Sequence, residues 1–480
     1  MIRVIAHILL ASMIFTFSQA QPEELKLPNL GEASTSLFSP EQEYKLGRAW
    51  LRMFRSQVRT LEDPMVHDYL ESLLYTLVTH SELEDRRIDL VVVENPVLNA
   101  FAVPGGVIGV HTGLMLYAQS EDELATVLSH ELAHLSQRHF SRGVEQQRKQ
   151  QPFTMAGMLA GLVLIATTGG SAGLAALSAS QAAAIESQMR FSRGNEQEAD
   201  RIGMQTLVAA GMDPHAAPAM FERMLAATRY SSGSRTPEFL RTHPLSESRI
   251  ADTRNRARQY PKTIRPESLA FHLMRARIQI VHADTPQRAV SEFRGMLDGK
   301  PRSREAARYG LVLALKAAGQ PAEARRELDI LLAHNPGQLE YIIAGAEIDM
   351  DIGEAQASIR VLTRELKLYP GNHALTMAYA RALVQDDQPH IAEQVLLEQS
   401  RKRPNDPGMW YLLAEVSGLS GNILGVHRAR AEYFILNGIL DEAEHQLNYA
   451  LRLSQNDYHT SALVNQRIKD IATLRRRMEL

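Results

Sequence analysis

The sequence predicts a mainly α chain: an α+β domain with a small β-sheet, followed by an all-α array of helical repeats. Three observations carry this. β-branched runs occur only near residues 88–112. Helical apolar spacing dominates elsewhere. Prolines 336, 370 and 404 recur every 34 residues in the C-terminal part.

The chain has 480 residues, about three ordinary domains, or two if one is a repeat array. Its 52 basic and 55 acidic residues give a net charge of −3, so no basic excess points to nucleic acid. Cysteine is absent, which excludes disulfides and thiolate metal sites. Any transition-metal site must therefore use His, Asp or Glu.

Residues 1–20 read as a signal peptide, with Arg3 before an apolar run and Ser18 and Ala20 ahead of a cut after Ala20. The apolar run is under bilayer length, so a membrane anchor is the weaker reading. Residues 21–262 then form one domain and 263–480 a second.

Pro22, Pro28 and Pro40 mark an extended lead-in. Residues 41–80 predict two helices, with Tyr44, Leu46, Trp50, Met53 and Phe54 on one face. IDLVVVEN (88–95) predicts a strand, Pro104-Gly105-Gly106 a turn and VIGVHT (107–112) a second strand, read together as an antiparallel pair. The second strand, just before the next helix, is expected to present an open edge to an extended peptide. Ser120 with Glu123 predicts a capping box opening an amphipathic helix. Residues 153–185 are uncharged and rich in Ala, Gly and Ser. They predict a buried helical hairpin, with peripheral membrane contact as the alternative. Helix resumes over 190–230, and a loop spans 231–250.

In the C-terminal part, Gly319 and Gly353 repeat the 34-residue step, and Ala324, Ala346, Ala380 and Ala392 fall where paired helices approach. This is the tetratricopeptide spacing, and such arrays offer concave peptide-binding surfaces. A further unit at 432–457 reads as displaced by an extra helix near 408–420.

His130-Glu131-Leu132-Ala133-His134 matches H-E-x-x-H. On a helix, i and i+4 share a face, so both imidazoles reach one ion. Nitrogen ligands without thiols suit zinc. Glu131, one step round, is placed as general base for the attacking water. A third protein ligand is needed, and no immediate third His follows. Glu196 and Asp200 share a face at i, i+4, so Glu196 reads as ligand with Asp200 orienting a ligand histidine. Spacing alone leaves Glu198 as a rival. His111 and His139 read as structural, the latter because five residues past His134 is off the ligand face.

HExxH followed by ExxxD, with Asn99-Ala100-Phe101-Ala102, Pro104-Gly105-Gly106, His111-Thr112-Gly113, His243-Pro244 and Arg249-Ile250, resembles the HtpX-like zinc peptidases. This is the gluzincin group that includes the CAAX prenyl endopeptidases. The motifs cover about residues 90–250. The resemblance implies a zincin-like metallopeptidase domain, a zinc metalloendopeptidase activity and one zinc per chain. It implies His130, His134 and Glu196 as ligands, Glu131 as base and Asp200 behind them, and it selects Glu196 over Glu198. A His at position 243 would fill the open metal position and hold the enzyme latent. A structural His-Pro turn is the other reading. Arg249 is a candidate for electrostatic or oxyanion stabilisation on charge alone.

The order of signal peptide, peptidase domain and repeats is similar to a periplasmic branch of that family. That likeness implies unfolded or misassembled outer-membrane β-barrel proteins as clients. It also implies the barrel-assembly machinery as a partner of the repeats and a role in quality control with chaperone-like activity. A repeat-based chaperone or scaffold with a mostly latent metal site is the alternative.

Overall fold

The computed structural model describes residues 39–148, 193–230, 238–263 and 265–479. The expected signal peptide and the 153–185 hairpin lie outside the described residues.

Helix α1 (Pro40–Arg55) opens with a capping box between Ser39 and Gln42. It buries Leu46, Trp50 and Phe54 as the apolar spacing predicts. Trp50 stacks on Phe54 at 4.6 Å and both meet Phe101 edge-on. Each fully buried aromatic contributes about 2–3 kcal/mol by leaving water. Helix α2 (Pro64–Thr79) is capped by Asp63, whose carboxylate accepts from the Met65 and Val66 amides.

The sheet has three strands in the order β1-β3-β2: β1 (Asp89–Val93), β2 (Ala100–Val103) and β3 (Val107–His111). β2 and β3 form an antiparallel hairpin around Gly105 and Gly106, which take φ of 85° and 79°. β1 runs parallel to β3, with Leu90 opposite Ile108. This corrects the expected antiparallel pairing. The Pro-Gly-Gly turn joins β3 to the short strand AFAV, and that hairpin takes the antiparallel partner. β3 is consequently central and not an open edge. On the outer side of β1, Leu61 N–H donates to Val92 and Glu94 N–H to Arg59. Among the described residues, the unpaired side of the sheet therefore belongs to β2.

Helix α3 (Thr112–Tyr117) leads to α4 (Glu121–Ser136), which is buried from Glu123 to His134. Ser120 Oγ accepts from Glu123 N–H at 3.3 Å, so the cap is present. The box is not closed, because the Glu123 carboxylate accepts from Gln119 N–H instead. Helices α5 (His139–Arg148), α6 (Arg193–Ala209), α7 (Ala216–Tyr230), α8 (Glu238–Thr242) and α9 (Glu247–Ala257) complete the part around the sheet. The segment read as a loop over 231–250 thus carries α8 and the start of α9, capped by Ser246.

Helical hairpins follow: α10 (Leu269–Val281) with α11 (Pro286–Asp298), α12 (Arg304–Ala317) with α13 (Pro321–His334), and α14 (Leu339–Asp351) with α15 (Ala355–Leu368). Then come α16 (His373–Gln385) with α17 (Pro389–Lys402), α18 (Pro407–Leu419) with α19 (Ile423–Leu436), and α20 (Leu440–Leu453) with α21 (Tyr458–Glu479). The helix near 408–420 is α18, which begins a regular unit in step with those before it. No unit is displaced. Ala324, Ala346, Ala380 and Ala392 are all buried where helices cross, as their spacing predicts.

The array packs back on the sheet-bearing part. Arg403, after α17, donates to Asp68 and Glu71 on α2 at 2.7 Å each. Arg277 on α10 donates to the cap residue Asp63. A single apolar core runs from Met65 through the sheet and α4 to Ala382. A cavity of about 260 Å³ lies at this junction, lined by Arg55, His67, His373, Arg403 and Asp406. Among the described residues, no helix is long and apolar enough to cross a membrane.

Candidate metal centre

The H-E-x-x-H segment sits in the C-terminal half of α4, and α6 lies against the helix. Gly203 permits this approach, since a Cβ there would stand 3.1 Å from the His130 amide nitrogen. The close contact brings Asp200 and Glu196, about one and two turns earlier on α6, opposite the motif. His243 arrives from the end of α8, where its N–H donates to Phe239 O at 2.8 Å and its ring stacks on Phe239 at 4.8 Å.

Side-chain donors of His130, His134, Glu196 and His243 converge within 4.8 Å of one another, and all four residues are buried. Nε2 of His130 and Nε2 of His134 are 3.0 Å apart. Each lies 3.5 Å from a Glu196 oxygen. His243 Nδ1 is 3.1 Å from Glu196 Oε1 and 3.4 Å from His130 Nε2. Three imidazole nitrogens and a carboxylate facing one point, without a thiol, form a donor set that fits a divalent transition ion.

Glu131 stands outside this group. Its Oε1 is 3.6 Å from His243 Nε2, and the backbone of Ala102 on β2 lies near its carboxylate. The His243 ring therefore lies between the donor cluster and Glu131. Behind the cluster, Asp200 Oδ1 is 3.0 Å from His130 Nδ1. Arg249 grips Asp200 with two hydrogen bonds of 2.7 Å, reaches Glu196 Oε2 at 2.8 Å and donates to Pro244 O at 2.9 Å.

Burial opposes charge on every one of these groups, and neighbours decide the outcome. His130 is pushed up to about 10, because Asp200 and Glu196 outweigh its desolvation. His134 goes the other way, well below the usual imidazole range, through burial and then the charge on His130. Glu196 is held well below the carboxylate range, because His243 and His130 overcome its burial. Asp200 is lowered as Arg249 overcomes burial. Glu131 is raised by burial, which His243 and His130 offset only in part. A carboxyl group raised in this way holds a proton more readily than an exposed one.

Glu196 and His243 meet His130 and His134 in space, Asp200 meets His130, and Arg249 reaches the site through Asp200 and Glu196. Glu198 does not join them. It contacts His139 at 3.0 Å and Arg142 at 2.8 Å. Five residues past His134 on a continuous helix would put His139 off the ligand face, but the helix is not continuous. α4 ends at Ser136, and Arg138 takes a left-handed φ of 51°, which turns the chain back. His139 Nδ1 thereby lies 2.8 Å from His134 Nδ1. The non-helical residue between two histidines carries no sequence signal of its own. Arg249 is engaged with Asp200, Glu196 and Pro244 and is 5% exposed, so it stands behind the cluster.

Residues 64–257 match the peptidase family M48. The beta-barrel assembly-enhancing protease of Escherichia coli (strain K12) is 36% identical over 423 residues, covering 87% of this chain and 85% of that one. A putative beta-barrel assembly-enhancing protease of Vibrio cholerae is 34% identical over 460 residues, covering 95% and 94%. The mitochondrial metalloendopeptidase OMA1 of Schizosaccharomyces pombe is 33% identical over 182 residues, covering 38% of this chain and 50% of its own.

Proposed function

The chain belongs to peptidase family M48 and is a metallopeptidase, and from that premise we propose a zinc-dependent endopeptidase of unfolded or stalled outer-membrane β-barrel proteins. The observation that carries it is the convergence of His130, His134 and Glu196 beside an uncoordinated Glu131. His130, His134 and Glu196 would hold the ion. Zinc supplies Lewis acidity, polarising a carbonyl and lowering the pKa of water. Glu131 takes the proton of the attacking water and returns it to the leaving nitrogen. Asp200 orients His130, and Arg249 holds Asp200 in place.

The substrate's place is the outer side of β2. In this antiparallel hairpin, Asn99 accepts from His111 N–H, so Ala100 and Ala102 direct their backbone groups away from β3. An extended peptide added there runs past Glu131 and is recognised by its backbone, which suits unfolded clients.

His243 is assigned as a fourth ligand and latch. With Nδ1 on Glu196 and Nε2 near Glu131, it occupies the space that water and substrate need. This contact also favours the second reading, a chaperone-like array whose peptidase site rests closed. Residues 1–20 are taken as a cleaved signal peptide, residues 21–262 as the peptidase domain and residues 263–480 as tetratricopeptide repeats. The compartment is then the periplasm, and the repeats dock on the barrel-assembly machinery. The names of the relatives support the assembly role.

The test compares Glu131→Gln with wild type on an unfolded outer-membrane client, with and without a chelator. Cleavage is expected from wild type alone, and only without chelator. Cleavage by the variant overturns the mechanism. No cleavage by either, with suppressed client aggregation, favours the second reading.

A further inference from the structure

His130 and His134 both turn Nε2 toward the donor cluster, so the partner of each Nδ1 sets the tautomer and the ring orientation. For His130 that partner is a carboxylate, Asp200. For His134 it is another imidazole. His139 Nδ1 lies 2.8 Å from His134 Nδ1, and His139 Nε2 lies 3.0 Å from Glu198 Oε2. Arg142 Nη2 donates to the same Glu198 oxygen at 2.8 Å. The His139 side chain is buried, while Glu198 sits at the rim of the site, its side chain 29% exposed.

For neutral imidazoles the proton count along this chain has one solution. Glu198 is an acceptor, so His139 carries its proton on Nε2. Its Nδ1 then offers a lone pair, and His134 must donate to it from Nδ1. That leaves His134 Nε2 unprotonated, as a metal ligand requires. If the proton on His139 moved to Nδ1, a lone pair would face the Glu198 carboxylate, and the proton of His134 would be forced onto the very atom that faces the ion. The two ligand histidines are thus oriented by unlike devices, one by Asp200 with Arg249 and the other by a His139–Glu198 relay.

We propose that His139 and Glu198 are positioning residues that set the tautomer of His134 and so tune metal affinity. The inference rests on reading His130, His134 and Glu196 as metal ligands. It makes Glu198 part of the metal site without being a ligand.

The test uses the full-length protein stripped of metal. Zinc affinity is measured by competition with a chromophoric chelator, cobalt(II) ligand-field spectra are recorded, and unfolding midpoints are followed for each variant. His139→Phe keeps the volume and removes the acceptor. His139→Asn loses volume and keeps an acceptor near the Nδ1 position. Glu198→Ala leaves His139 in place without its anchor. His139→Phe is expected to bind zinc about 10- to 100-fold more weakly than wild type and to shift the cobalt bands. His139→Asn should stay within a few fold of wild type, and Glu198→Ala should fall between. A space-filling role gives the reverse order, with Phe nearer wild type than Asn, and that order overturns the proposal. Should the Phe variant fail to fold, wild-type affinity in Glu198→Ala overturns it instead. Absence of stoichiometric zinc in wild type is a separate outcome, which removes the metal reading and this inference with it.

Discussion

Arg249 and Asp200 form a two-pronged ion pair, both hydrogen bonds 2.7 Å long, in the buried layer directly behind His130. The same guanidinium reaches Glu196 and the carbonyl of Pro244, so one cation ties Glu196 and Asp200 of α6 to the loop that carries His243. Arg249→Met should destabilise the fold by about 3–5 kcal/mol in urea unfolding, because it leaves Asp200 and Glu196 buried without their cation. Arg249→Lys should recover only part of this, since an ammonium cannot match the forked contact. A Met variant as stable as wild type would show that the pair carries no net burden.

His243 Nε2 lies 3.6 Å from Glu131 Oε1, the contact on which the latch reading rests. His243→Ala should raise the rate of cleavage of an unfolded client by about tenfold, the effect of removing about 1.4 kcal/mol of closed-state stabilisation. Zinc content should remain one per chain, held by the three other donors. An unchanged or lower rate at full zinc occupancy would exclude the latch.

His111 is buried on the central strand, edge-on to Phe101 at 6.2 Å. Burial pushes its imidazole down to about 4. In the unfolded chain it titrates near about 6.5. As pH falls below that value, the unfolded state takes up the proton first, so the contribution of His111 to stability is full above pH ~6.5 and is lost as pH falls toward about 4. The loss amounts to about 3 kcal/mol. The difference in urea stability between wild type and His111→Leu should therefore change across this window and be flat above it. A pH-independent difference would refute the assignment.

Gly438 and Gly421 both adopt left-handed backbone, at φ of 70° and 76°. They differ in surroundings. A Cβ at Gly421 meets open space, whereas at Gly438 it would collide with the carbonyl of Arg52 on α1. Gly421→Ala should cost about 1 kcal/mol from backbone strain alone. Gly438→Ala should cost about 1–3 kcal/mol more, because the array must move off α1. Equal losses in thermal unfolding would mean that this contact does not restrain the array.

The sequence by itself determined the local and periodic features. Ser120 starts the motif helix, i and i+4 spacing puts His130 and His134 on one face, and a 34-residue step lays out the array. These are short-range facts, set by helix geometry, capping and repeat length. Strand order, the place of His139 and the partners of Arg249 and Glu198 were decided only in three dimensions. AFAV is too short to announce itself as the strand that takes the antiparallel place beside β3. A single left-handed residue, Arg138, moves His139 from the wrong side of a helix to within hydrogen-bonding distance of His134. Spacing left Glu196 and Glu198 as rivals, and the packing of α6 through Gly203 turned one toward the cluster and the other toward His139. Side-chain pairing across elements depends on how backbones approach, and no spacing along one chain encodes that approach.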